Sequence, residues 1–145
     1  FTIEPGECLG LLGPNGCGKT TTIRCVTGDL VPTSGRCTLT DANGALHLAV
    51  RDLIGVCPQK DYFFEDLTVF ENLRLHAELR GVRNATRVCR ELLSQVGLYD
   101  KGDKFVSSLS GGMQRKLSVA IAFIGDRAIR VLDEPTTGLD PLSRQ

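Results

Sequence analysis

The chain has 145 residues, with 17 Lys plus Arg against 17 Asp plus Glu, two His and a formal net charge of zero, so charge alone points to neither a nucleic-acid partner nor an acidic one. Apolar residues make up 41% and aromatics 6%, ordinary material for one folded domain, and no window approaches the roughly 18 consecutive apolar residues of a membrane span. Six cysteines show no Cys-x-x-Cys spacing and no histidine cluster beside them, which argues for free thiols rather than a metal site or a disulfide framework.

The opening Phe1-Thr2-Ile3 reads as the tail of a strand, and the sequence stops soon after a strand and a turn. A segment of a longer protein, truncated at both ends, is therefore expected. Residues 7–12 (ECLGLL) have the short apolar pattern of a buried parallel strand and run into a glycine-rich stretch. Residues 19–29 read as a helix with Ile23 and Val26 on one face and Gly28 near its end. A turn over 32–35, a strand over 36–40, a turn over 41–44 and a short strand over 54–57, stopped by Pro58, follow.

Beyond residue 60 the texture changes. Residues 68–79 and 84–96 carry apolar side chains at helical spacing among charges, 101–108 is a polar connection, and 112–124 is a third helix with an unusually apolar second half. Residues 128–132 return to strand character, and Asp133-Glu134-Pro135 stands at the strand's C-terminal end. The fold class expected is α/β, with a core over 1–60 and 126–145 interrupted by a helical lobe over 61–125. Arg130 interrupts the last strand; its guanidinium should reach the surface or find a carboxylate, because a buried unpaired charge is costly.

Gly13-Pro14-Asn15-Gly16-Cys17-Gly18-Lys19-Thr20 matches the pattern GxxxxGK[ST] between an expected strand and an expected helix. Glycines there let backbone N–H groups turn inward as an anion nest, and the helix start adds its positive end. Lys19 can reach β and γ phosphates and the Thr20 hydroxyl can ligate Mg²⁺, with Thr21 counted among the nucleotide-binding residues. Open parallel sheets bind ligands at the C-terminal edge of their strands, which makes Asp133 a candidate Mg²⁺ ligand and Glu134 a candidate to polarise an attacking water.

Ser110-Gly111-Gly112 precedes a helix and forms a second plausible anion site; the alternative is an ordinary helix cap. One nucleotide does not need two such loops in a small domain, so the second loop would close on a nucleotide held by another copy or homologue. Gln59, just past a strand end, could touch Mg²⁺ or the lytic water, or be an exposed loop residue. Asp140 follows the catalytic strand as a turn acid or an interface contact, and His47 and His76 read as structural or surface residues.

These motifs, in this order, resemble the nucleotide-binding domain of ATP-binding-cassette transporters. Gly13 to Thr20 corresponds to the Walker A loop, Gln59 to the Q-loop, Leu109 to Gln114 to the signature, Asp133 and Glu134 to the Walker B end, and Asp140 to the D-loop. The wording GVCPQ, LTVFENL and LSGGMQRKLSVAIAFIG is similar to the A subfamily, large lipid-moving proteins with two cassettes in one polypeptide, and within it to the first cassette. The resemblance implies a three-layer P-loop NTPase core with an inserted helical subdomain, ATP and Mg²⁺ as cofactors, and Mg-dependent ATPase activity in the parent protein. It implies a second nucleotide-binding domain arranged head to tail, transmembrane domains as partners, and a place on the cytosolic face of a multi-pass membrane protein, with no nucleic acid. The family's adenine-stacking aromatic and switch histidine would fall outside these residues. Competing readings are a soluble cassette ATPase acting on ribosomes or DNA, and a piece that binds ATP without turnover.

Overall fold

In the computed structural model, residues 1–40, 46–47 and 53–136 are described. The chain divides into two compact units, Phe1–Leu48 and Ala49–Gln145.

In the first unit, helix α1 (Lys19–Val26) is entered through Gly18 at φ 98°, a left-handed conformation that glycine adopts without a Cβ penalty. It ends three residues short of the expected 29. Thr27 caps it, Gly28 turns left-handed at φ 77°, and the N–H groups of Asp29 and Leu30 both close onto the Arg24 carbonyl, at 2.9 and 3.0 Å. Strands β1 (Leu39–Thr40) and β2 (Leu46–His47) pair antiparallel, Leu39 opposite His47, so the strand expected over 36–40 forms only at its last two residues.

The strand expected over 7–12 does not form. A strand exists only by sharing backbone hydrogen bonds with a neighbour, and residues 7–12 have no ladder partner among the described residues. Leu12 stays 92% exposed, so the apolar pattern there does not mark a buried element of this unit.

The second unit holds the parallel pair β3 (Ile54–Cys57) and β4 (Ile129–Leu132), with Ile54 opposite Ile129 and Cys57 opposite Leu132. The chain between them contributes helices α2 (Val69–Leu79), α3 (Ala85–Gln95) and α4 (Gly111–Ala122), with short 3-10 turns at Tyr99–Lys101 and Val106–Ser108 inside the expected polar connection.

Local chemistry explains the helix starts. Thr68 and Glu71 form a reciprocal capping box on α2: the Glu71 N–H donates to the Thr68 hydroxyl and the Thr68 N–H donates to the Glu71 carboxylate. These Thr68 bonds hold the Glu71 carboxyl below its ordinary pKa. Asn84 enters α3 at φ 56°, a conformation asparagine tolerates better than most residues.

The lobe core is Leu73 and Ala77 of α2, Leu92 and Leu93 of α3, Leu117 and Ile121 of α4, and Leu98, Val106 and Ile124 from the connections. Each buried leucine or isoleucine contributes about 1.5–3 kcal/mol. Helix α4 is apolar on more than one face because it packs on both α2 and the β3–β4 pair. Contact with the sheet is so close that a Cβ at Gly55 would overlap the Ala122 carbonyl.

Arg130 meets its expectation. Its guanidinium lies 5.2 Å from the Phe123 ring centroid and donates to the Arg127 and Gly125 carbonyls, at 2.8 and 3.4 Å, with the residue exposed. Among the described residues no helix is long and apolar enough to cross a membrane.

Candidate functional site

The glycine-rich loop of the first unit is shaped by its own backbone. Gly16 and Gly18 take φ values of 80° and 98°, positions a side chain would strain, and the Cys17 N–H reaches the Pro14 carbonyl at 3.4 Å. Lys19 curls back over the loop, its Nζ donating to the Gly13 and Pro14 carbonyls at 2.8 and 3.0 Å. Intrahelical bonding in α1 begins with the Thr22 N–H donating to the Gly18 carbonyl, so the N–H groups of Lys19, Thr20 and Thr21 have no partner within the helix. No acidic residue occupies that first turn.

A helix start whose first N–H groups have no partner within the helix, and a nearby ammonium, both favour negative charge. The surroundings of Gly13 are equally tight, since a Cβ there would stand 2.6 Å from Cys17 Sγ. Gly13, Pro14, Asn15, Gly16, Cys17, Gly18, Lys19, Thr20 and Thr21 form one continuous stretch of loop and helix start.

The second unit assembles a different group of residues. The Asp133 N–H donates to the Cys57 carbonyl at 2.9 Å, which extends the parallel ladder one step and delivers Asp133, buried, to the strand end. Glu134 follows, exposed, with φ 49°. A non-glycine residue held left-handed costs about 1–3 kcal/mol unless its surroundings fix it, and such residues cluster at functional sites. Gln59, exposed at the end of β3, donates from Nε2 to Glu134 Oε2 at 3.4 Å.

Arg115 joins these pieces and was not evident from motif spacing. Buried on α4, it donates through Nη1 to the Pro58 carbonyl at 2.5 Å and to Asp61 Oδ1 at 2.8 Å. Through Nη2 it donates to the Asp133 carbonyl and, at 2.9 Å, to the Glu134 carbonyl. Its Nε is buried without a partner among the described residues. Removing Asp61, itself only partly buried, would take away the carboxylate paired with this buried guanidinium. The available sequence signal was a cation three positions before Ser118 and seven before Ala122, on a stripe that the structure buries.

At the start of α4, the Ser110 hydroxyl accepts from the Met113 N–H at 3.3 Å, so the helix-cap reading of Ser110 is realised. Capping uses the hydroxyl as acceptor, and its own O–H remains chemically able to donate to an anion. The N–H groups of Gly111 and Gly112 lie in the first turn, where an α-helix gives them no internal partner. Asp140 lies outside the described residues.

No group of three His, Cys, Asp or Glu side chains able to hold a metal occurs among the described residues. A hard cation held by Thr20, Gln59 or Asp133 would draw its remaining ligands from phosphate oxygens and water, as Mg²⁺ in nucleotide sites does.

A family model described as ABC transporter matches residues 1–137. The chain is 48% identical over 147 residues to ATP-binding cassette sub-family A member 7 of Mus musculus, covering 99% of this chain and 7% of that protein. It is 44% identical over 148 residues to the retinal-specific phospholipid-transporting ATPase ABCA4 of Homo sapiens, covering 100% of this chain and 6% of that protein. Among solved structures, one titled "Structure of ATP binding subunit of ABC transporter" superposes with a TM-score of 0.76 at 33% identity, over 92% of this chain and 57% of that one. The chain thus spans only a small part, 6–7%, of these two relatives.

Proposed function

The chain belongs to the ABC transporter family, and on that premise we propose that it is the ATP-binding and ATP-hydrolysing part of a larger membrane transporter that moves lipids. The observation that carries this reading is the loop of residues 13–20: glycines at positive φ, a helix start with no acidic residue, and the Lys19 ammonium folded over the loop. Similarity to phospholipid-transporting relatives supports lipid as the cargo class.

In this proposal the cradle from Gly13 to Thr21 binds the phosphates, with Lys19 at the β and γ positions and Thr20, Gln59 and Asp133 on the metal side. Mg²⁺ would be held by Thr20, Gln59 and Asp133 and would supply neutralisation of phosphate charge. Glu134 accepts the proton of the attacking water, and Gln59, within 3.4 Å of that carboxylate, orients the same water. The nucleotide core comprises 1–60 and 126–145, and the helical subdomain 61–125. Ser110, Gly111 and Gly112, with Asp140, serve the γ phosphate held by a second nucleotide-binding domain facing head to tail. Transmembrane domains of the same protein receive the motion at the cytosolic face of the membrane, and no nucleic acid takes part.

Calorimetry on the full-length parent tests the reading. Lys19→Ala removes the ammonium placed for the β and γ phosphates and is expected to abolish most ATP affinity. Equal affinity in wild type and variant would overturn it.

A further inference from the structure

We propose that Arg115 is a positioning residue for hydrolysis, bracing the backbone on both sides of the Gln59–Glu134 pair. The assignment rests on the ATPase reading given above. Gln59 and Glu134 sit at the ends of two different strands, and nothing in the side chains of an amide and a carboxylate fixes their backbones in place. One guanidinium does so here. Its Nη1 holds the carbonyl of Pro58, the residue immediately before Gln59, and its Nη2 holds the carbonyls of Asp133 and Glu134 themselves.

Glu134 needs such a brace more than most residues, because its φ of 49° is a conformation that the isolated chain disfavours. Bonds to the carbonyls on both sides of the Glu134 N–Cα bond pin that conformation. The brace itself is oriented by Asp61 Oδ1, at 2.8 Å, and by burial, with the Arg115 side chain 3% exposed.

Position on α4 gives the brace a further consequence. Arg115 is five residues beyond Ser110, the cap of the same helix, so a displacement of the helix start is carried by a rigid element to the Pro58 and Glu134 carbonyls. Ser110 is proposed to serve a nucleotide in the opposing cassette, whereas Glu134 serves this cassette's own. Ser110 and Arg115 thus lie on one helix within one compact unit.

A planar fork can satisfy several carbonyls and a carboxylate at once, and a single ammonium cannot. The test uses the full-length parent as wild type, Arg115→Lys, Arg115→Gln, Asp61→Asn and Glu134→Gln. ATP affinity, KM and kcat are measured, with kcat expressed per nucleotide-binding site so that poorly folded molecules do not count.

Arg115→Lys keeps the charge beside Asp61 but loses the fork, and kcat is expected to fall about 10- to 100-fold, the scale of an ångström-level misplacement of a reacting group. ATP affinity and KM should stay within about twofold, because the residues proposed to bind phosphate are unchanged. Arg115→Gln should show the same split, and Asp61→Asn a smaller loss, since all the carbonyl bonds remain. Unchanged kcat per site in both Arg115 variants, losses in kcat matched by losses in affinity, or an Asp61→Asn loss as large as that of Arg115→Lys would each overturn the proposal. Should Glu134→Gln leave turnover intact, the ATPase reading fails and takes this assignment with it; if Glu134→Gln abolishes turnover while Arg115→Lys is silent, only the brace fails.

Discussion

Gln59 Nε2 and Glu134 Oε2 meet at 3.4 Å although 75 positions separate them in the chain. Strands β3 and β4 run parallel and in register, so both stop at the same edge, and the residues that follow each strand are neighbours. The meeting puts a neutral amide beside a carboxylate, a group that can orient water beside one that can take its proton.

Replacing Glu134 by Gln keeps the shape at that edge and removes the proton acceptor. Steady-state hydrolysis by the parent protein should fall by about 10²–10⁴-fold, the usual scale of a lost general base, while ATP binding persists. Filter binding alongside phosphate release checks both halves; wild-type turnover in the variant would take Glu134 out of the reaction.

The cysteines should report nucleotide directly. Cys17 is exposed within the phosphate loop, whereas Cys57 and Cys89 are buried, and burial pushes both of their thiols up, Cys89 to about 11. Thiolate is the reactive form, so alkylation mapped by mass spectrometry should modify Cys8, Cys17 and Cys37 well before Cys57 and Cys89. Added ATP should slow Cys17 alone. A Cys17 rate indifferent to ATP would mean that the loop is not where the nucleotide sits.

His76 makes the helical lobe sensitive to acid. Burial first, then the neighbouring Arg80 charge, hold its imidazole below the ordinary value of 6.5, and among the described residues its Nε2 has no hydrogen-bond partner. Its folded pKa is therefore lower than its unfolded one, so the unfolded chain binds more protons between the two and stability rises with pH there. The contribution is fully present above the unfolded value and is lost as pH falls through it toward the folded value. Urea unfolding followed from about pH 7 to about pH 5 should show this loss in wild type and a flatter profile in His76→Gln. Identical slopes would assign the acid sensitivity elsewhere.

How much of this was legible in the sequence depends on how local each cause is. The helices of the lobe were visible because their apolar spacing and the Thr68–Glu71 cap are written within one or two turns. The phosphate loop was visible for the same reason: its shape is set by glycines and a lysine inside eight consecutive positions. Strand 7–12 was misread because side-chain pattern says nothing of whether a neighbouring backbone is there to pair. Arg115 was passed over because its partners come from two other stretches of the chain, and Gly55 because only packing reveals that the Ala122 carbonyl fills the space a side chain would need. Gln59 was legible as a candidate, yet its proximity to Glu134 required the parallel register.

The parallel pair also constrains the order in which this unit can fold. Closing the long connection over 58–128 before anything inside it is ordered carries an entropic cost and returns few hydrogen bonds. Helices α2, α3 and α4 share a core of their own between the strands, and once they have condensed the two strand ends are held near each other. The lobe is expected to act as a template for the β3–β4 ladder, and pulsed hydrogen exchange during refolding should find lobe amides protected before those of the strands. A substitution that merely slows assembly of the lobe, far from any phosphate, would then delay the appearance of catalytic competence without touching the residues that carry it.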